Sequence, residues 1–87
     1  MKYIKTGEKD GFLILNDEHG NRAYFEFMEM AVVNGREYAA LVETATDDLI
    51  ILEFHESKDG NESYTVIEDD NEFEQVAAVF ETMFNED

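Results

Sequence analysis

Apolar and polar residues alternate through most of the chain, and the alternation breaks at a few turn signals. "DEHGN" (17–21), "NG" (34–35) and "KDGN" (58–61) each place a glycine where a tight turn needs positive φ. Asn34-Gly35 is the strongest hairpin signal of the three, and "TATDD" (44–48) is a weaker break. Between the breaks lie "FLIL", "RAYFEFMEMAVV", "REYAALVE", "LIILEFHE" and "ESYTVI". Rich in β-branched and aromatic residues, these runs predict strands at about 12–16, 22–33, 36–43, 49–56 and 62–67. The short connections call for antiparallel neighbours, because a parallel crossover needs a dozen or more residues.

The period then changes. Phe73, Val76, Ala77, Phe80, Met83 and Phe84 recur at the spacing of one helical face, with Val79 flanking it. A helix is expected over about 70–85. The expected fold is therefore α+β: a five-stranded antiparallel β-meander with one C-terminal amphipathic helix packed on one face. Residues 1–87 form one domain on this reading, since a chain of this length has no room for a second core. Residues 1–10 carry weak signals and are expected to fray, or to add a short edge strand through Tyr3 and Ile4.

Strand phase indicates which faces are covered. Phe25, Phe27, Ala31 and Val33 share one side of the second run, with Glu29 interrupting. Tyr24, Met28, Met30 and Val32 share the other, with Glu26. "FLIL" and "LIIL" are apolar on both faces. One helix covers one side of a sheet, so the second face is left with exposed apolar surface, or with a bulge or the N-terminal residues over it. An exposed patch of this kind marks a partner site and leaves room for self-association through Phe12 and Ile14 or Met28 and Met30.

Charge sharpens the picture. The chain carries 22 Asp and Glu against 6 Lys and Arg, a net charge of −16. Almost all of it lies after residue 36, and no Lys or Arg follows Lys58. Binding to nucleic acid or to anionic membranes needs basic side chains, so both are excluded as partners. A protein with a basic surface is the expected partner. A hydrophobic share of 44 % argues against disorder, and the absence of cysteine excludes disulfides and thiol chemistry. No signal peptide or membrane span is visible, so a cytoplasmic location is expected.

Five acids crowd the seven positions from Glu68 to Glu74. Their position at the start of the predicted helix gives them a structural cause, because free N–H groups and the helix dipole favour negative charge there. Asp69 with Glu72, or Asn71 with Glu74, has capping-box spacing. Weak divalent binding by Asp69, Asp70, Glu72 and Glu74 is the competing reading. An EF-hand loop fails: with Gly60 at its glycine position the ligating ends would be His55 and Val66, and with Gly20 there the loop would start at Leu15. His19 and His55 have no zinc-ligand spacing. Ser57 and Ser63 flank a turn near His55 without a nucleophile elbow. The sequence therefore points to no catalytic, cofactor-binding or metal-ligating residue and to no cofactor, and the protein is expected not to be an enzyme.

The order of "NDEHGNRAYFEF", "NGREYAALVE", "DDLIILEF" and "DGNESYTVIEDDNEFEQVAAVFE" resembles the YrzB-like family of small acidic bacterial proteins of unknown function. The likeness runs from about residue 12 to residue 87, and "IEDDNEFEQVAAVFE" is its most specific part. Val66 departs from it, standing where the family often has proline. The resemblance implies a small bacterial cytoplasmic domain and transfers no functional residue. The expected role is a non-enzymatic protein-interaction module. The alternatives are a nucleic-acid mimic that binds a basic protein surface and a small hydrolase or metal-dependent enzyme.

Overall fold

A computed structural model describes residues 1–85, so the last two positions of the expected domain lie outside the described residues. The strands are β1 (Lys2–Lys9), β2 (Phe12–Asn16), β3 (Arg22–Val33), β4 (Arg36–Glu43), β5 (Asp48–Glu56) and β6 (Glu62–Val66), followed by helix α1 (Asp70–Phe84). All strand pairs are antiparallel. The fold is α+β, with one C-terminal helix against an antiparallel sheet. The sheet, however, has six strands closed into a barrel, which corrects the five-stranded meander.

Closure depends on the N-terminal residues. Lys2, Tyr3 and Ile4 pair with Thr65, Tyr64 and Ser63, and the Val66 N–H donates to the Met1 carbonyl at 3.0 Å. Residues 2–9 thus form a full strand with partners on both sides, rather than a frayed end or a short edge. The turn that sends β1 into β2 is Asp10-Gly11, with φ of 53° and 87°. Asn34-Gly35 repeats that geometry between β3 and β4, with φ of 53° and 79°. Two successive positive φ values define the hairpin turn whose twist matches its strands.

The barrel is filled with side chains. Leu13, Leu15, Phe25, Ala39, Leu41, Leu52 and Tyr64 form its buried interior, with Tyr3, Ala23, Ile50 and Phe54 packed around them. The rings of Tyr3 and Phe25 meet edge to face at 5.9 Å, and those of Phe54 and Tyr64 lie 5.4 Å apart. A second cluster sits outside the barrel wall, where Val76 and Phe80 of α1 pack on Ala31, Tyr38 and Ala40. Strand β4 serves both clusters by simple alternation: Ala39 and Leu41 point in, Tyr38 and Ala40 point out to the helix. The two-sided apolar character of the sequence therefore has two causes, an enclosed barrel interior and a helix on the outer wall.

Two bulges adjust the wall. β3 gains a residue at Met28, between the Phe27–Leu41 and Glu29–Ala40 pairs. Phe25 and Phe27 face inward before it, while Ala31 and Val33 face the helix after it. These four residues do not share one side, because an inserted residue reverses the phase of everything beyond it. β1 shifts in the same way at Thr6.

Candidate functional site

The helix start comes first, because the acid run lies there. Asp69 is the N-cap, and its Oδ1 accepts from the N–H groups of Asn71 at 2.8 Å and Glu72 at 3.1 Å. This settles the register in favour of Asp69. Glu72 occupies the capping-box position, yet its carboxylate turns to the barrel instead. It accepts from the Tyr38 hydroxyl at 2.5 Å and lies 3.5 Å from Arg36 Nη1. Burial, reinforced by this hydrogen bond, pushes Tyr38 up to about 12. Asp70 and Glu72 lie in the first turn, where the dipole favours them. Glu18, Glu53, Glu68, Asp69 and Glu72 border an open cleft of about 460 Å³ beside the start of β1. Among the described residues, no group of His, Asp or Glu is spaced to hold a metal ion.

The remaining chemical candidates are dispersed. His19 lies exposed in the β2–β3 turn. His55 Nε2 is 3.2 Å from Thr65 Oγ1 and 3.7 Å from Glu53, on the outer wall. Ser57 Oγ accepts from the Asn61 N–H at 3.2 Å, which is turn chemistry. Inside the barrel rim, Lys5 bonds Glu8 at 2.6 Å and lies 3.6 Å from Glu62. The Glu8 bond, the largest influence, raises the Lys5 pKa. Tyr64 is pushed up to about 12, first by burial and then by Glu62 and Glu8.

The distinctive surface feature is on β3. β2 pairs with β3 only from Arg22 to Glu26, whereas β3 continues to Val33 beside β4 alone. Its far edge, over residues 27–33, therefore has no strand beside it among the described residues. Phe27, Met28 and Val32 are 43, 44 and 68 % exposed there, and Met30 is partly exposed. The Met30 N–H is met by its own neighbour, the Glu29 carboxylate, at 3.2 Å. The apolar residues expected on the second sheet face are thus exposed in part, as an edge rather than a face. Phe12 and Ile14 are only half-buried. On α1, Phe73 and Phe84 are each 42 % exposed beside the packed stripe, with Phe84 stacked on Phe80 at 6.1 Å.

No helix among the described residues is long and apolar enough to cross a membrane. Residues 18–85 match the family model described as a protein of unknown function, DUF1292. A UPF0473 protein of Heliobacterium modesticaldum is 37 % identical over 82 residues, covering 92 % of each chain. Another, of Pelotomaculum thermopropionicum, is 37 % identical over 82 residues, covering 92 % of this chain and 94 % of its own. A third, of Alkaliphilus oremlandii, is 32 % identical over 83 residues, covering 92 % and 96 %. No solved structure matches. The resemblance read from the sequence holds at the level of a bacterial family of unknown function, under these names rather than the YrzB-like one. The chain belongs to the DUF1292 family of proteins of unknown function, and its similarity to the UPF0473 proteins runs over nearly the whole length of each chain.

Proposed function

We propose that the protein is a non-enzymatic interaction module of the cytoplasm, of the YrzB-like kind, whose partner is a protein with a basic surface. One observation carries this reading. An apolar strip, Phe27, Met28 and Val32, stays exposed along an unpaired strand edge of a strongly acidic domain. Apolar surface rimmed by charge is the usual composition of a docking site. The acids bring a basic partner in, and the strip gives it somewhere to bury apolar groups. No observation favours nucleic-acid mimicry or hydrolase chemistry over this.

A tagged pull-down from the native cytoplasm, run at low and at high salt, tests it. The expected result is a partner retained at high salt and lost when Phe27 and Met28 are both replaced by serine. If an unrelated domain of equal charge captures the same proteins, recovery reflects charge alone and the reading falls.

A further inference from the structure

We propose that residues 27–33 of β3 receive an extended strand of the partner protein, which joins the sheet edge antiparallel or parallel as a further strand. This deepens the interaction-module reading and rests on it. The geometry comes from unequal strand lengths. β3 has twelve residues and β2 has five, so among the described residues the second half of β3 keeps one free edge. Free edges are normally protected by lysine, proline or a covering segment. Here the edge stretch "FMEMAVV" has neither lysine nor proline, and α1 covers its Ala31 side while Val32 on the other is 68 % exposed. The bulge at Met28 lies at its start and leaves residues 29–33 in continuous register with β4.

The edge also specifies its occupant. Phe27, Met30 and Val32 pair with Leu41, Ala39 and Glu37, so they line the face that points inward in the closed part of the barrel. Glu26 and Glu29 pair with Val42 and Ala40 and lie on the opposite face. An added strand places alternate side chains on these two faces. Its residues should therefore alternate, apolar beside Met30 and Val32 and basic beside Glu29, since Glu26 already has Phe12 of β2 next to it. A second copy of this chain is disfavoured as occupant. Its own edge would bring another Glu29 to the site, and each copy carries a net charge of −16.

The test is an NMR titration of the full chain with a synthetic peptide of alternating lysine and valine, long enough to cover residues 27–33. A control peptide is N-methylated at alternate residues, which keeps charge and side chains but blocks strand pairing. Shifts confined to residues 27–33, with new exchange protection at the Met30 amide, are expected for the first peptide and not for the second. Val32→Lys should weaken binding at least about tenfold, by placing like charge at the edge. A side chain so exposed can change without unfolding the domain, which circular dichroism would verify.

In the titration, no binding, equal binding of the N-methylated peptide, or shifts spread over Glu68 to Glu74 would each overturn the proposal. Sedimentation showing copies joined through this edge would overturn it in favour of a dimer. A partner that survives Val32→Lys in the pull-down but is lost with the Phe27 and Met28 replacements would remove the strand-addition site while leaving the interaction-module reading in place.

Discussion

The Tyr38 hydroxyl donates to the Glu72 carboxylate at 2.5 Å, tying the first turn of the helix to the middle of the barrel wall. Tyr38 is 2 % exposed, so its hydroxyl depends on that partner. Glu72 retains access to water and to Arg36. Tyr38→Phe should therefore cost about 1–2 kcal/mol, since the remaining carboxylate can hydrate. Glu72→Ala should cost more, roughly 2–3 kcal/mol, because it strands a buried hydroxyl and removes an acid from the helix start. Urea melts of the two variants check the order, and a larger loss for Tyr38→Phe would contradict it.

Alkaline pH should destabilise the fold. Tyr38 and Tyr64 ionise near 12 when folded, against 10 when unfolded. Between those values the unfolded chain has lost protons that the native protein still holds, so stability falls as pH rises. Burial of the neutral tyrosines thus contributes fully below pH 10 and is lost by about pH 12. Linkage puts the loss at up to roughly 2–3 kcal/mol per tyrosine. Lys5, also raised, adds to the loss over the same alkaline range. Tyr64→Phe should flatten the alkaline limb in melts taken at stepped pH, and an unchanged slope would count against the assignment.

Removal of residues 1–9 should abolish cooperative unfolding. The deletion takes Tyr3 off Phe25 and leaves both β2 and β6 without their closing partner. The interior cluster would then open on one side to water. A dye that fluoresces on exposed apolar surface should bind the truncated chain and not the full one. An unaltered, sharp melt would show that the barrel does not need its first strand.

Salt should raise the melting temperature. Closing the barrel gathers acids such as Glu53, Glu68, Asp69 and Glu72 around one cleft, and the unfolded chain relaxes that crowding. Screening shortens from roughly 10 Å at 0.1 M to 3 Å at 1 M, which relieves the folded state more. The opposing loss is small, because Lys5 and Arg36 supply the close Lys and Arg pairs and exposed pairs are worth under about 1 kcal/mol each. Scans in sodium chloride should show the rise up to about 0.5 M. A saturating extra rise at micromolar calcium would reopen the metal reading of Glu68 to Glu74.

The five later strands and the helix were readable because each has its own period and its own turn signals. β1 was not. Only Tyr3 and Ile4 stand out in "KYIKTGEK", and the rest of its stability comes from pairing at a distance. Its local signal is Asp10-Gly11, a hairpin dipeptide set among charged neighbours and followed by only a short apolar run. Closure itself depends on pairing between β1 and the distant β6, which local pattern does not report. The phase of β3 misled because strict alternation assumes no inserted residue, and the out-of-place Glu29 was the mark of one. Phe73 belongs to the helical stripe by spacing, but the curved wall covers only the Val76 and Phe80 line. The free edge was present in the sequence as a disparity of length, a short "FLIL" set beside a long "RAYFEFMEMAVV". Its position was not, since that requires knowing where the shorter strand stops pairing.

The pairing of Tyr3 with Tyr64 also sets a timetable for synthesis. β1 leaves the ribosome before the other strands, but its second neighbour, β6, emerges only after β2 to β5 have been made. Hairpins β1–β2 and β3–β4 can form as they appear, each through a local turn. The ring cannot shut until residues 62–66 arrive, so its last step is a long-range search of the kind that slows folding. During that interval the nascent sheet has two extra open edges and an unsealed apolar interior. Residues 62–87 carry nine of the 22 acids and no Lys or Arg, so the segment that shuts the ring also brings much of the charge that keeps finished copies apart.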